Sequence, residues 1–388
     1  MTPDVWAEID LSAVAHNIGR LKSLLAPGVR FMAVVKANAY GHGLLPVARQ
    51  ALAAGVDCLG VARLGEAVAL REGGISAPIL IFGYTPPESA GELTANRLVQ
   101  TVYSFEMARK MAEAAQRRNS WLPVHVNVDT GMGRLGIIGG TRKTPGAPPA
   151  LNPAAVEEIK ALSRFPGLSL EGIYTHFATA DEADQAMAKD QLKLFHEITA
   201  ALGGQGLGPL VCHCANSAAM IALPESRLDM VRAGIAVYGL SPSAGFPVEN
   251  LGLKPAMTLK ARVIHLKKVG TGFPVSYGAT ERTRQPTTIA TVSIGYADGY
   301  NRLLSSRGRM RVRGQFVPVI GRVCMDQTML DVGAVPEVEL GDEVVVFGRD
   351  DTGALPVSEI AEALNTISYE VVSGVSDRVA RIYCHKEQ

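Results

Sequence analysis

Residues 31–43, FMAVVKANAYGHG, run five apolar side chains, Phe31 to Val35, directly into Lys36, and then turn through Asn38, Gly41 and Gly43. A short apolar run closed by turn residues reads as a strand covered on both faces. The carboxyl end of such a strand is where α/β folds place reactive groups. An ammonium there is costly to desolvate. Lys36 is therefore either solvated or active as a neutral amine or a Schiff base.

Outward from that strand the pattern repeats as far as Gly239. Candidate strands are Phe31–Val35, Cys58–Ala62, Ile79–Phe82, Leu98–Tyr103, Val124–Val128, Gly172–Phe177, Leu210–Cys214 and Val231–Tyr238. Helical stretches separate them: Leu44–Ala54, Gly65–Glu72, Phe105–Arg117, Ala154–Arg164, Ala183–Leu202 and Ser217–Leu223. Strands alternating with helices argue for parallel βαβ units, and eight of them argue for a closed, TIM-like (β/α)8 barrel. A strand-like VWAEID precedes an opening helix, Leu11 to Leu25, which Asp10 or Ser12 can cap. The stretch 139–153, GGTRKTPGAPPALNP, reads as an exposed loop after the fifth strand.

After Ser241 the texture changes to β-rich runs, and SPSAGFPVENLG reads as the linker. Candidate strands are Met257–Val269, Thr288–Ile294, Met310–Arg313, Val317–Arg322, Thr328–Val332 and Glu343–Phe347, interrupted by one helix, Val357–Leu364. The expected division is a barrel over 1–240, with residues 1–10 packing as a strand on the other unit, and a mainly antiparallel β domain over 241–388. Arg307, Arg309, Arg311 and Arg313 alternate along one segment and read as an exposed strand face.

The 388 residues carry 38 basic and 37 acidic side chains, a net charge of +1, which implies no nucleic-acid partner. No apolar run is long enough to span a membrane, and MTPDVWAEID lacks the basic and apolar regions of a secretory signal. Five cysteines without framework spacing suit a reducing cytoplasm. Cys212–His213–Cys214 resembles a metal cluster, but neighbours on a strand face opposite ways and no second ligand pair follows, so no metal is expected.

In a barrel of this kind function sits at the carboxyl ends of the strands. Those ends carry Lys36, Asn38 and Tyr40; then DTGMGRLG with Arg134; Thr175–His176–Phe177; Asn216–Ser217; and Arg232 followed by Gly234–Ile235. Ser217 at a helix start and the amides after Gly234 suit a phosphate. A lysine beside a phosphate cradle suggests pyridoxal phosphate held as a Schiff base. An arginine in place of a carboxylate on the ring nitrogen leaves that nitrogen unprotonated. The carbanion is then only moderately stabilised, which favours return of the Cα proton.

Nine motifs, in order, resemble those of the alanine racemases along nearly the whole chain. They are AVVKANAYGHG (33–43), DTGMGRLG (129–136), THFATADE (175–182), ANSAA (215–219), VRAGIAVYG (231–239), VSYGAT (275–280), IGYADGY (294–300), GRVCMDQ (321–327) and TISYEV (366–371). The resemblance implies a fold-type III enzyme in which Lys36 carries pyridoxal 5'-phosphate and serves as one acid/base, with Tyr277 as the other on the opposite face. It implies that His176 hydrogen-bonds Tyr277, and that Arg232 contacts the ring nitrogen. Tyr40, Asn216, Ser217, Gly234, Ile235 and Tyr369 would secure the phosphate end. Arg134 and the backbone at Met325 would receive the substrate carboxylate, and Tyr296 would line the entrance. The tyrosine base comes from a partner subunit in this family, so a homodimer with shared sites is implied. Asn127 stands where many members have a carbamylated lysine; its amide, with a small anion, is expected to position Arg134 instead.

The expected activity is interconversion of L- and D-alanine by two-base proton transfer, supplying D-alanine for peptidoglycan. The alternatives are a racemase of serine, lysine or a broader set, a barrel-type pyridoxal-dependent amino-acid decarboxylase, and a pyridoxal-phosphate-binding protein without catalysis. Asp129 reads as shaping its turn, His42 as a loop residue rather than a third base, and Tyr300, Trp6 and Trp121 as packing. Cys324 reads as packed near the entrance.

Overall fold

The first eight-stranded arrangement is a single parallel sheet. In a computed structural model that describes residues 3–141, 147–204, 207–246 and 248–386, its strands are Arg30–Val34, Cys58–Val61, Ile79–Ile81, Val99–Val102, Leu122–Asp129, Leu168–Tyr174, Val211–His213 and Met230–Ala233. From Arg30–Val34 to Val211–His213 each pairs in parallel with the next in chain order, and Met230–Ala233 pairs back with Arg30–Val34, leaving one seam between Val211–His213 and Met230–Ala233. The remaining seam is crossed by two backbone bonds, Arg232 N–H to Ala215 O at 2.9 Å and Asp229 N–H to Cys212 O at 3.2 Å. The barrel is thereby nearly closed, and its strands are buried on both faces, as their continuous apolar runs require.

The second sheet is mainly antiparallel and draws on both chain ends. Met257–Val269 pairs with Glu343–Asp350, with Thr287–Val292 and with Val5–Asp10; Ala380–Cys384 then lies parallel to Val5–Asp10. The helix Leu11–Lys22 starts where Asp10 Oδ1 accepts the amides of Ser12 (2.9 Å) and Ala13 (3.1 Å). From that helix the buried Asn17 donates to Val237 O and Lys254 O and accepts from Lys254 N, which ties the linker to the barrel. One continuous apolar core joins the two sheets.

Several sequence expectations need correction. Val231–Tyr238 is not one strand: the strand ends at Ala233 and Ile235–Tyr238 is a 3-10 turn. The opening helix stops at Lys22, and Val317–Arg322 is replaced by Gln315–Pro318. Within 139–153 lies a small hairpin, Gly140–Thr141 with Ala150–Leu151, while 142–146 lie outside the described residues. Two helices, not one, interrupt the β-rich half, the second being Ser368–Ser373. The alternating arginines do not form one exposed face. Arg311 is 3% exposed, set over the Phe316 ring at 5.5 Å with Asp350 at 3.4 Å. Trp121 packs little, at 66% exposed.

Candidate active site

The turn after Lys36 is left-handed. Ala37, Asn38, Ala39 and Tyr40 all have φ near +53°, a conformation that costs an L-residue about 1–2 kcal/mol. Such a run persists only where its surroundings over-determine it. Here Ala39 N–H reaches Val35 O, Gly41 N–H reaches Ala37 O and Gly43 N–H reaches Asn38 O, at 2.8–2.9 Å. Asn38 Oδ1 accepts the Leu44 amide at 2.8 Å, and Glu66 Oε1 accepts the Ala37 amide at 2.6 Å. His42 Nδ1–H donates to the carbonyls of Tyr40 (2.9 Å) and Ala39 (3.1 Å). His42 is fully buried against the Tyr238 ring, and burial lowers its pKa to about 4. It is a neutral brace of the turn.

Lys36 emerges from this turn into a cavity of about 300 Å³ at the barrel rim. Burial lowers the lysine pKa, the Arg134 charge lowers it further, and Glu66 works in the opposite direction. Asn127, Arg134, His176, Asn216, Ser217, Arg232, Gly234, Ile235, Tyr40 and Tyr369 line the same cavity. Tyr40 packs at 4.9 Å from the Tyr238 ring and 5.9 Å from the Tyr369 ring. Tyr369 stands on the short helix Ser368–Ser373, whose presence the sequence reading did not anticipate.

One end of the cavity is built by close approach. Ser217 Oγ accepts the amides of Gly234 (2.8 Å) and Ala236 (3.4 Å), leaving its own proton to donate. A Cβ on Gly234 would lie 2.5 Å from Tyr40 Oη, so only glycine lets that hydroxyl in. Asn216 caps the helix Ser217–Ala222 by accepting the Ala219 amide at 2.9 Å.

Arg232, 4% exposed, is the one charge set deep behind the cavity by several acceptors. It donates to His213 Nδ1 (3.0 Å) and His213 O (2.9 Å), and to Thr175 O (2.8 Å), Cys214 O (3.1 Å) and His176 Nδ1 (3.3 Å). Burial lowers its pKa, and no carboxylate among the described residues pairs with it. His176 is held neutral, its pKa lowered to about 3 by burial and then by the charges of Arg232, Arg134 and Lys36. Because arginine can only donate, His176 Nδ1 must be the acceptor, and the imidazole proton sits on Nε2. His213 likewise faces the barrel interior, and no metal cluster exists among the described residues.

Arg134 lies in the turn that Asp129 organises by accepting the amides of Gly131, Met132 and Gly133. Asn127 makes no hydrogen bond to Arg134: its Nδ2 donates to Leu135 O at 3.2 Å, fixing the residue beside the arginine. No described carboxylate pairs with Arg134.

Three expected site residues are not in this cavity. Tyr277 is 69% exposed in a separate cleft with Ser276, Cys324 and Gln327. It sits on a strained turn, with Ser276 at φ +64° and Ala279 at φ +44°, held by Ser276 Oγ donating to Arg322 O at 2.6 Å. Met325 and Tyr296 are also exposed, on abutting turns joined by Tyr296 N–H to Cys324 O and Ala297 N–H to Met325 O, both 3.0 Å. Within one chain His176 therefore makes no bond to Tyr277. Cys324 is half-buried, its thiol 3.5 Å from Ser276 Oγ. Sequence reasoning also missed Glu66 and His125, which lie outside the motifs; the signal available for Glu66 was its place three residues into a helix start.

The family description "Alanine racemase, N-terminal domain" matches residues 9–242, and "Alanine racemase, C-terminal domain" matches residues 256–383. A relative from Desulfosudis oleivorans named alanine racemase is 53% identical over 98% of this chain and 96% of its own length. An alanine racemase structure from Clostridium difficile 630 superimposes with a TM-score of 0.92 at 39% identity, covering 99% of this chain and 97% of that one. Another, from Bartonella henselae and described as carrying covalently bound pyridoxal phosphate, has a TM-score of 0.85 at 28% identity, covering 98% and 100%. With two domain matches spanning most of its length and identity above half to a full-length relative, the chain belongs to the alanine racemase family.

Proposed function

We propose that the chain interconverts L- and D-alanine, taking the Cα proton on one face with Lys36 and on the other with Tyr277 of the partner subunit. One observation carries this reading: the barrel rim gathers a lysine, a carboxylate-seeking arginine and a phosphate cradle in one cavity, while Tyr277 stands exposed elsewhere. Racemisation needs two acid/base groups on opposite faces of a planar centre. Within one chain the cavity holds Lys36 but not Tyr277, and a dimer with shared sites would supply the second.

Pyridoxal phosphate fits the residues present and, bound through Lys36, supplies the electron withdrawal that makes the Cα–H acidic. Lys36, its pKa lowered by burial and Arg134, holds or releases a proton at Nζ on one face. Arg232 would be the donor to the ring nitrogen, and a guanidinium, which gives up no proton, would leave that nitrogen unprotonated. His176, with its proton on Nε2, donates toward the partner's tyrosine oxygen. Tyr40, Ser217, Gly234, Ile235 and Tyr369 hold the phosphate, with Asn216 fixing the helix that bears Ser217. Arg134 receives the substrate carboxylate with the partner's Met325 backbone, Asn127 steadies the Arg134 turn, and Tyr296 lines the entrance.

We place the barrel unit at 1–240 and the β domain at 241–388, the first strand belonging to the sheet of the latter. Free cysteines and the absence, among described residues, of any helix able to cross a membrane are compatible with a cytoplasmic enzyme making D-alanine for peptidoglycan. The test is complementation. Lys36→Ala and Tyr277→Phe chains should each be nearly inactive in alanine racemisation. Mixed after subunit exchange, they should recover about a quarter of native activity, since half the dimers then hold one intact site. No recovery on verified exchange would refute the shared site. Lysine racemised as fast as alanine would refute the substrate assignment.

A further inference from the structure

We infer that Glu66 is a positioning residue for Lys36: its carboxylate grips the amide that follows the lysine and fixes a negative charge on the turn that carries the amine. Glu66 lies at the third position of the helix Leu64–Glu72, one barrel unit away from the lysine in sequence. Oε2 accepts the amides of Ala62 (2.8 Å) and Arg63 (3.0 Å), which anchors the carboxylate to the end of the second barrel strand. Oε1 then reaches across to the Ala37 amide at 2.6 Å. Ala37 is the first residue of the left-handed run, and its N–H takes no part in the backbone bonds that hold the rest of that run together.

Both oxygens are thus committed to backbone, and the carboxylate has no freedom to swing away. Charge and geometry act in the same place. Burial and Arg134 push Lys36 toward the neutral amine, and Glu66 is the acidic group that resists. An amine that must both take and return a proton needs neither state too strongly favoured. Glu66 supplies the counterweight without touching the substrate cavity, which it does not line.

The inference rests on Lys36 being the residue that takes pyridoxal phosphate, and the test separates the two. The full-length chain, freed of cofactor, is mixed with pyridoxal phosphate across a range of pH. Condensation at Lys36, which releases water, is followed by absorbance and confirmed by borohydride trapping and peptide mass spectrometry. Glu66→Gln removes the charge at constant size. The inflection of the rate profile should move to lower pH, with about three times more neutral amine at a pH below it. Glu66→Asp keeps the charge but withdraws it from the Ala37 amide; its inflection should stay near the native one while cofactor dissociates about three to ten times faster. A profile for Glu66→Gln that superimposes on the native one, or native cofactor dissociation from Glu66→Asp, would overturn the proposal. If the glutamine variant does not fold, the aspartate variant decides alone. Failure of the native chain to form any adduct at Lys36 would instead remove the cofactor reading, and this inference with it.

Discussion

Arg232 donates to His213 Nδ1 at 3.0 Å, and His213 Nε2 in turn lies 2.8 Å from His125 Nδ1. The direction of every proton in this chain follows, because a guanidinium cannot accept. His213 carries its proton on Nε2 and donates it to His125, which carries its own on Nε2. Tyr174 stacks on His213 at 4.9 Å and lies under the Arg232 guanidinium at 5.0 Å. Arg232 is therefore oriented from behind by a rigid stack rather than by a counter-ion. Arg232→Met should take a donor away from His213 Nδ1, His176 Nδ1 and three carbonyls. At about 1–3 kcal/mol for a buried unsatisfied group, the variant should lose at least about 3 kcal/mol in urea unfolding, together with racemisation. Native stability in that variant would contradict the role assigned to the stack.

Acid should destabilise the fold before it protonates the carboxylates. Burial lowers His42 and His125 to about 4 and His176 to about 3, and pushes His213 well below its ordinary value. A histidine whose folded pKa is depressed contributes stability that is complete above the unfolded value, near 6.5, and is lost as pH falls toward the folded one. Four such groups acting together give a slope of up to about 5 kcal/mol per pH unit near pH 5. Urea midpoints measured from pH 7 down to pH 4.5 should fall steeply below about 6.5. A flat profile over that range would mean the histidines are not buried neutral.

Asn127→Ala should act on substrate binding. The lost hydrogen bond to Leu135 O, worth about 0.5–1.5 kcal/mol, loosens the turn bearing Arg134. Steady-state kinetics should show KM for alanine rising about twofold to tenfold with kcat little changed. A fall in kcat at constant KM would place Asn127 in the proton transfers instead.

Gly234→Ala should weaken cofactor retention. Its Cβ would meet Tyr40 Oη at 2.5 Å, and Tyr40 is wedged between Tyr238 and Tyr369 with little room to retreat. Pyridoxal phosphate affinity, read by fluorescence or absorbance titration, should drop at least about tenfold, and unfolding should become easier by about 1–3 kcal/mol. Unchanged affinity would show that Tyr40 does not face the phosphate.

Local pattern in the chain is enough for part of this architecture. Apolar runs of strand length alternating with amphipathic stretches specify eight parallel strands in chain order, and the strand ends carry Lys36, Arg134, His176, Ser217 and Arg232. Side chains at the ends of parallel strands must share a rim, so topology alone made them neighbours. Other features depend on contacts between residues far apart in the chain, for which no local period exists. Ala380–Cys384, largely exposed or half-buried, becomes a strand only because Val5–Asp10 offers it an edge. Arg311 is buried because Phe316, Thr352 and Asp350 receive it. The left-handed turn after Lys36 stands because Glu66 and His42 hold it from outside and within. The VSYG motif identified Tyr277, and the resemblance already implied that it serves a partner's site; the folded chain puts it in a cleft separate from the cavity of its own chain, because it stands on the β-rich unit rather than at the barrel rim.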